Sequence, residues 1–278
     1  MSLDLSVLIR TYNSGQTLEA CLRSLSAQTL PPQQTIIVDS GSSDNTLEIA
    51  RSYGAKIVHY PDEKDFNYSR ALNIGMEKVR KSHTLIVSSH VSLPDPDTLR
   101  VLMRLLETED RRCAASIPAT VQSPTDVEIG EVKWTLVTQE NFIPRYGGVG
   151  ISNSCNLIPT ELWRHCAFDE SIPRCEDQKW LKYFLKRDWN AARVKRPQVV
   201  YNNPYFNVRK QISDVLALAK YDINPTLTNL SSIMGRVRNC LTALINGKTQ
   251  QAVHSARIIR GLLWVRMGMD KERKSRYF

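Results

Sequence analysis

The acidic pair Glu176-Asp177 and three short polar clusters are the parts of this 278-residue chain with most chemistry to offer. A carboxylate held close to a substrate hydroxyl can take its proton, whereas at a helix start an acidic pair also complements the macrodipole. Each polar cluster follows an apolar run. Thr11 and Asn13 follow LSVLI, Asp39 and Asp44 bracket the turn after TIIV, and Ser88 and His90 follow TLIV. Asp39 and Asp44 also suit turns in which a carboxylate bonds its own backbone. If the runs are neighbouring strands of one parallel sheet, their carboxyl ends meet in a crevice where ligands bind.

The first hundred residues have the pattern such a sheet needs. Strands are expected at LSVLI, at 35–39, 55–60 and 84–89, each an unbroken apolar run bounded by turn residues. Between them lie stretches of helical spacing: Leu18, Leu22 and Leu25 on one face, a helix from Thr46 with Asp44 as its N-cap, another over 69–81 and another over 95–107. Strands without polar alternation are covered on both faces, so the class is α/β, a mostly parallel, Rossmann-like sheet flanked by helices. Residues 110–206 are less regular. Helices are expected at 210–223, 226–246 and 248–269, the last with Val253, Ala256, Ile259, Leu263 and Met267 on one face.

Charge divides the chain unevenly. Residues 1–206 are electrically neutral, and the whole excess of +9 falls in 207–278, with 13 Lys/Arg against 4 Asp/Glu. A nucleic-acid-binding core would carry its basic residues in the folded body, so that class is disfavoured. The division suggests a domain over 1–206 and a basic helical C-terminal extension over 207–278 that suits an anionic membrane surface or domain packing. No apolar run is long enough to span a membrane, and no secretory signal is visible, which makes a cytoplasmic protein, peripheral at most at the inner face of the membrane, the expectation. The six cysteines lack the close pairing of a zinc site and read as buried thiols.

Several of these segments, in order, resemble the family 2 glycosyltransferases, inverting enzymes of GT-A-type fold. They are SVLIRTYNSGQTLEACLRSLSAQTLPPQQTIIVDSGSSDNT, then SRALNIG (69–75), then FDESIPRCEDQKW (168–180). The resemblance covers about residues 4–200. It implies that Thr11, Asn13, Asp39, Asp44 and Ser88 line the nucleotide pocket, with Arg70 and Asn73 near the nucleotide or its diphosphate. It makes Asp177, supported by Glu176, the general base, and puts Trp180 beside the acceptor, although a core position suits Trp180 equally. The partners implied are a nucleotide-sugar donor and a glycan or lipid-linked acceptor in surface polysaccharide synthesis, with a homo-oligomer allowed and nucleic acid not expected.

The chain departs from that family at one telling place. Members usually end the fourth strand with Asp-x-Asp, whose carboxylate holds Mn2+ or Mg2+, whereas this chain has Ser88-Ser89-His90 there. Hydroxyls and an imidazole replace a Mg2+ site poorly, while imidazole suits Mn2+. Three readings follow: His90 ligates a metal, His90 bonds the diphosphate directly, or the chain is a non-catalytic binding or scaffold relative. A fourth puts Asp95 or Asp97 in the metal role. Arg10 replaces the Pro usual before Thr-Tyr-Asn, a change given little chemical weight.

Overall fold

In the computed structural model, residues 4–61, 65–108, 111–119, 121–128, 130–144, 148–202 and 208–268 are described. In chain order the elements are β1 (Leu5–Thr11), α1 (Leu18–Ser26), β2 (Gln34–Asp39), α2 (Thr46–Ser52), β3 (Lys56–His59), α3 (Tyr68–Met76), β4 (His83–Ser88) and the short β5 (Val91–Ser92). There follow α4 (Thr98–Glu107), β6 (Arg112–Ser116), β7 (Lys133–Val137), β8 (Cys155–Pro159), α5 (Thr160–His165), α6 (Glu176–Leu185), β9 (Asn190–Arg196) and β10 (Val200–Tyr201). The helices α7 (Val208–Lys220), α8 (Leu230–Ile245) and α9 (Thr249–Arg266) complete them.

Eight strands form one sheet in the order β3-β2-β1-β4-β8-β6-β9-β7. The first four run parallel, and β6 and β9 are parallel to each other, while β8 and β7 run against their neighbours. The register sets Thr11 of β1 opposite Asp39 of β2, and Arg10 opposite both Val38 and Ser88. The sequence clusters therefore lie side by side at one edge of the sheet. β1 is buried over its first five residues because alternate side chains enter two different cores. Val7 and Ile9 join Leu18, Leu22 and Leu25 of α1 and Leu99, Leu102 and Leu106 of α4. Leu8 joins Leu72 and Met76 of α3 and Leu181 and Phe184 of α6 on the other side. Helix α3 comes close enough that a Cβ at Gly75 would collide with Leu8 and Val38, so that position must be glycine.

The expected helices differ mainly at their ends; α3 stops at Met76 rather than near 81, and α4 starts at Thr98. The larger correction concerns α9. Most of its predicted apolar face points outward: Val253, Ala256, Leu263 and Met267 are exposed and only Ile259 of that face packs inward, while Ala252, Ile258 and Leu262 are buried. Ile258 and Leu262 join residues of α7 and α8 and Ile172 in a third core, so the extension packs on the segment that leads into α6. The boundary expected at 206/207 lies outside the described residues. All six cysteines are free, with Cys21, Cys113 and Cys155 buried.

Candidate active site

The loop after β1 is held to the start of α2 by a dense set of bonds. Thr11 Oγ1 donates to Asp39 Oδ1 at 2.8 Å, and the other carboxylate oxygen accepts from the N–H groups of Gly41 and Ser42 at 3.1 and 2.9 Å. Ser42 Oγ donates to Asp39 Oδ1 at 2.5 Å. Asn13 has φ +45°, a conformation that asparagine tolerates, and its Oδ1 accepts from Ser43 N at 2.8 Å. Asp44 accepts from Gly15 N (2.9 Å), Thr46 N (3.0 Å) and Thr46 Oγ1 (2.5 Å). Burial would raise its pKa, but these bonds outweigh that and hold the carboxyl below its usual range. It bonds the first helical N–H from one position before the N-cap, which is Asn45. Thr11, Asn13, Asp39 and Asp44 thus form one rigid rim, in which both acids organise the turn.

At the end of β4, Ser89 Oγ and Ser14 Oγ lie 2.9 Å apart, tying this strand to the loop after β1. His90 Nδ1 is 3.0 Å from Thr17 Oγ1, its carbonyl accepts from Asn202 N at 2.6 Å, and its ring meets Tyr201 edge-on at 6.1 Å. The Asp95/Asp97 alternative fails on position. Asp97 accepts from Thr29 just beyond the far end of α1 and pairs with Arg100, at the edge of the sheet opposite the crevice. The donors at the end of β4 are therefore hydroxyls and one imidazole. Among the described residues no group of three or more His, Cys, Asp or Glu side chains is placed to hold an ion. This set does not fit the carboxylate oxygens a hard cation prefers.

The downstream acidic pair reaches the same strand ends. Cys175, in a left-handed conformation at φ +62°, turns the chain into α6, so that Glu176 and Asp177 form its first turn. Ser88 N donates to Ser154 O at 3.0 Å, and next to Ser154, Asn153 N donates to Asp177 Oδ2 at 3.2 Å. Asn153 Nδ2 donates to Glu176 Oε1, also at 3.2 Å. From the other side, Arg10 Nη1 lies 3.5 Å from Glu176 Oε1. The pair is thereby linked within one or two residues to the ends of both β1 and β4. Burial first, and the Glu176 charge second, push the Asp177 carboxyl up to about 7; the N–H groups of Asn153 and Gln178 pull the other way, and Asp214 adds to the rise. A carboxyl in that range is matched to proton transfer near neutral pH.

The remaining expected residues divide. Arg70 sits at the crevice margin, its guanidinium 5.7 Å from the ring centre of Tyr60, whose N–H donates to Asp39 O. Asn73 has its amide fully used: Nδ2 donates to Phe168 O and Glu170 Oε1, and Oδ1 accepts from Trp163 Nε1 and Phe168 N, all at 2.8–3.1 Å. It ties α3 to the 163–170 segment and has no capacity left for a diphosphate. Trp180 also requires correction. It is 3% exposed, donates to Cys166 O at 2.8 Å and lies 4.4 Å from the Phe184 ring, so it is a core aromatic and not an acceptor platform. Asn153 and Arg10 are the residues that the sequence reading passed over. The first carried no motif, and the second was visible only as a departure from Pro.

A mostly parallel α/β sheet with polar groups at the ends of its first, second and fourth strands and an acidic pair beside them is of GT-A type. The model for Glycosyl transferase family 2 matches residues 6–156, and the chain belongs to that family. It is 31% identical over 147 residues to a PGL/p-HBAD biosynthesis glycosyltransferase of Mycobacterium tuberculosis, covering 51% of this chain and 50% of the relative. It is 29% identical over 100 residues to the O-antigen chain rhamnosyltransferase RfbN of Salmonella typhimurium, covering 36% of this chain and 32% of the relative. The matches thus span half or less of those relatives. In fold it is similar to a mannosyltransferase of Pyrobaculum calidifontis solved with GDP-Man and Mn2+, at a TM-score of 0.66 and 14% identity over 97% of this chain and 89% of that one. TarS 1-349 of S. aureus with UDP-GlcNAc gives a TM-score of 0.56 and 15% identity over 97% and 88%.

Proposed function

We propose that the chain transfers a hexosyl group, with inversion, from a nucleoside-diphosphate sugar to a hydroxyl of a glycan or lipid-linked acceptor in surface polysaccharide synthesis. In this reading Thr11, Asn13, Asp39 and Asp44 frame the nucleotide, and Ser88, His90 and Arg70 face the diphosphate. Asp177 takes the acceptor proton as the acceptor oxygen bonds to the anomeric carbon. The bond from that carbon to the diphosphate oxygen breaks on the opposite face, and its electron pair leaves with the nucleotide. The observation that carries the reading is the Asp177 carboxyl, pushed up to about 7 and linked through Asn153 and Ser154 to the end of β4. A base so placed contributes about 10²–10⁴-fold. Fixed donors stabilise the charge developing on the leaving group, and none of these steps runs through a metal.

Calorimetry with UDP, GDP and TDP, each with and without Mn2+, tests the donor site. Binding of one nucleotide in preference to the others supports a transferase. Binding of none favours a scaffold protein that has kept the fold. Dependence on Mn2+, lost in His90→Ala, would restore the metal reading.

An anionic bilayer is the partner proposed for the C-terminal helices. Leu241, Leu244 and Ile245 of α8, Trp264 of α9 and Met267 just after it are exposed. Six Lys/Arg and no Asp/Glu fall between Leu230 and Arg266. The Arg260 guanidinium lies 4.5 Å from the Trp264 ring centre, an arrangement suited to the headgroup level. No helix among the described residues is long and apolar enough to cross a membrane. Co-sedimentation with phosphatidylglycerol vesicles, reduced by Ile245→Asp and absent with phosphatidylcholine vesicles, is expected; equal binding to both lipids contradicts the assignment.

A further inference from the structure

Arg10 is anchored in the crevice on three sides. Its guanidinium carbon lies 4.6 Å from the ring centre of Tyr68, Nη1 donates to Tyr68 O at 3.4 Å, and the same nitrogen is 3.5 Å from Glu176 Oε1. Glu176 is buried, and among the described residues Arg10 is the cation that pairs with it. Adjacent carboxylates away from water cannot both stay ionised without a countercharge. The other charged groups near the pair are already engaged. Asp214 of α7 pairs with Arg174 at 2.7 Å, and Lys179, further along α6, pairs with Asp169 at 2.6 Å. The Cys175 thiol stays protonated, because burial drives its pKa well up. Tyr68 also receives the Arg174 guanidinium, 5.9 Å from its ring centre. A single aromatic ring thus positions the cations that serve both Glu176 and Asp214.

We propose that Arg10 is a positioning residue of the base: by pairing with Glu176 it keeps that carboxylate charged beside Asp177, so that the acceptor's proton goes to Asp177. Nothing in the chemistry requires Arg10 to touch either substrate. The inference rests on Asp177 being the base, but the pairing can be tested without any substrate.

The test is carboxyl ¹³C NMR of the full chain labelled at aspartate, with the Asp177 signal assigned by its loss in Asp177→Asn. Without its cation Glu176 takes up a proton before Asp177 does, so Arg10→Met is expected to lower the Asp177 midpoint by about one pH unit, toward that of Glu176→Gln. Arg10→Gln, which retains a donor for Tyr68 O, is expected to do the same, and Arg10→Lys to restore most of the difference. Glu176→Gln should lower the midpoint, and adding Arg10→Met to it should change little further. An unmoved or raised midpoint in Arg10→Met and Arg10→Gln overturns the proposal. So does an equal fall in the Glu176→Gln background, which would mean that Arg10 does not act through Glu176. Full transfer activity in Asp177→Asn would instead defeat the functional reading and leave the titration result standing.

Discussion

Asp177→Asn should make the protein more stable at pH 8 and leave it nearly unchanged at pH 5. In the folded chain the Asp177 carboxyl is pushed from its ordinary 3.8 up to about 7, because burial and the Glu176 charge disfavour ionisation. Between those values the native state holds a proton that the unfolded chain has released, so stability falls as pH rises through that window. The gap corresponds to about 4 kcal/mol at most. Partial exposure reduces it. Asparagine also cannot accept both N–H bonds, from Asn153 and Gln178, with the strength a carboxylate can. A net gain of about 2 kcal/mol at pH 8 remains, or roughly 4–8 °C in melting temperature for a chain of this size. At pH 5 the unfolded carboxyl is already ionised while the native one is protonated, so about 1.6 kcal/mol of that gap is present, which the weaker hydrogen bonds of asparagine offset, and the net gain should be close to zero. Differential scanning calorimetry of both proteins at the two pH values measures this directly. If the substitution shifts the melting temperature equally at pH 5 and pH 8, Asp177 is not held near neutrality, and its case as a base fails.

Trp180→Phe should keep the acceptor KM and kcat within about threefold, because the ring packs in the core and meets no substrate. Trp180→Ala should cost about 3–5 kcal/mol in urea unfolding. Asn73→Ala removes four hydrogen bonds to the 163–170 segment and should lower stability by about 2–4 kcal/mol without weakening nucleotide binding in calorimetry. Burial pushes the Cys21 thiol up to about 12 and those of Cys113 and Cys155 far above their ordinary value, so a disulfide reagent at pH 8 should leave these three unlabelled until denaturant is added.

The amino-terminal half of the fold was legible because its strands are unbroken apolar runs and its turns are made of residues with narrow conformational roles. That Thr11 and Asp39 lie at the same end of the sheet was expected, since parallel strands present their carboxyl ends together; the bond between them was not. The middle was less legible. β7, β8 and β9 are joined by long connections, and the antiparallel insertion of β8 between β4 and β6 leaves no periodic mark. Trp180 and Asn73 lie within motif segments, but motif position does not tell a side chain facing the crevice from one facing the core. Helix α9 was misjudged for a related reason. Its buried stripe is narrow, and apolar residues on its outer face make the wrong side look like the inner one. Arg10 escaped because its partner lies 166 positions away, and only the folded chain shows that it meets the acidic pair.

The most direct measurement of the central claim compares donor affinity and turnover in wild type and Asp177→Asn, using the nucleotide sugar that calorimetry selects. An unchanged nucleotide Kd with kcat lowered by about 10²-fold or more is expected if Asp177 is the base. Retained turnover, or a Kd weakened in step with kcat, would place the chemistry elsewhere in the molecule.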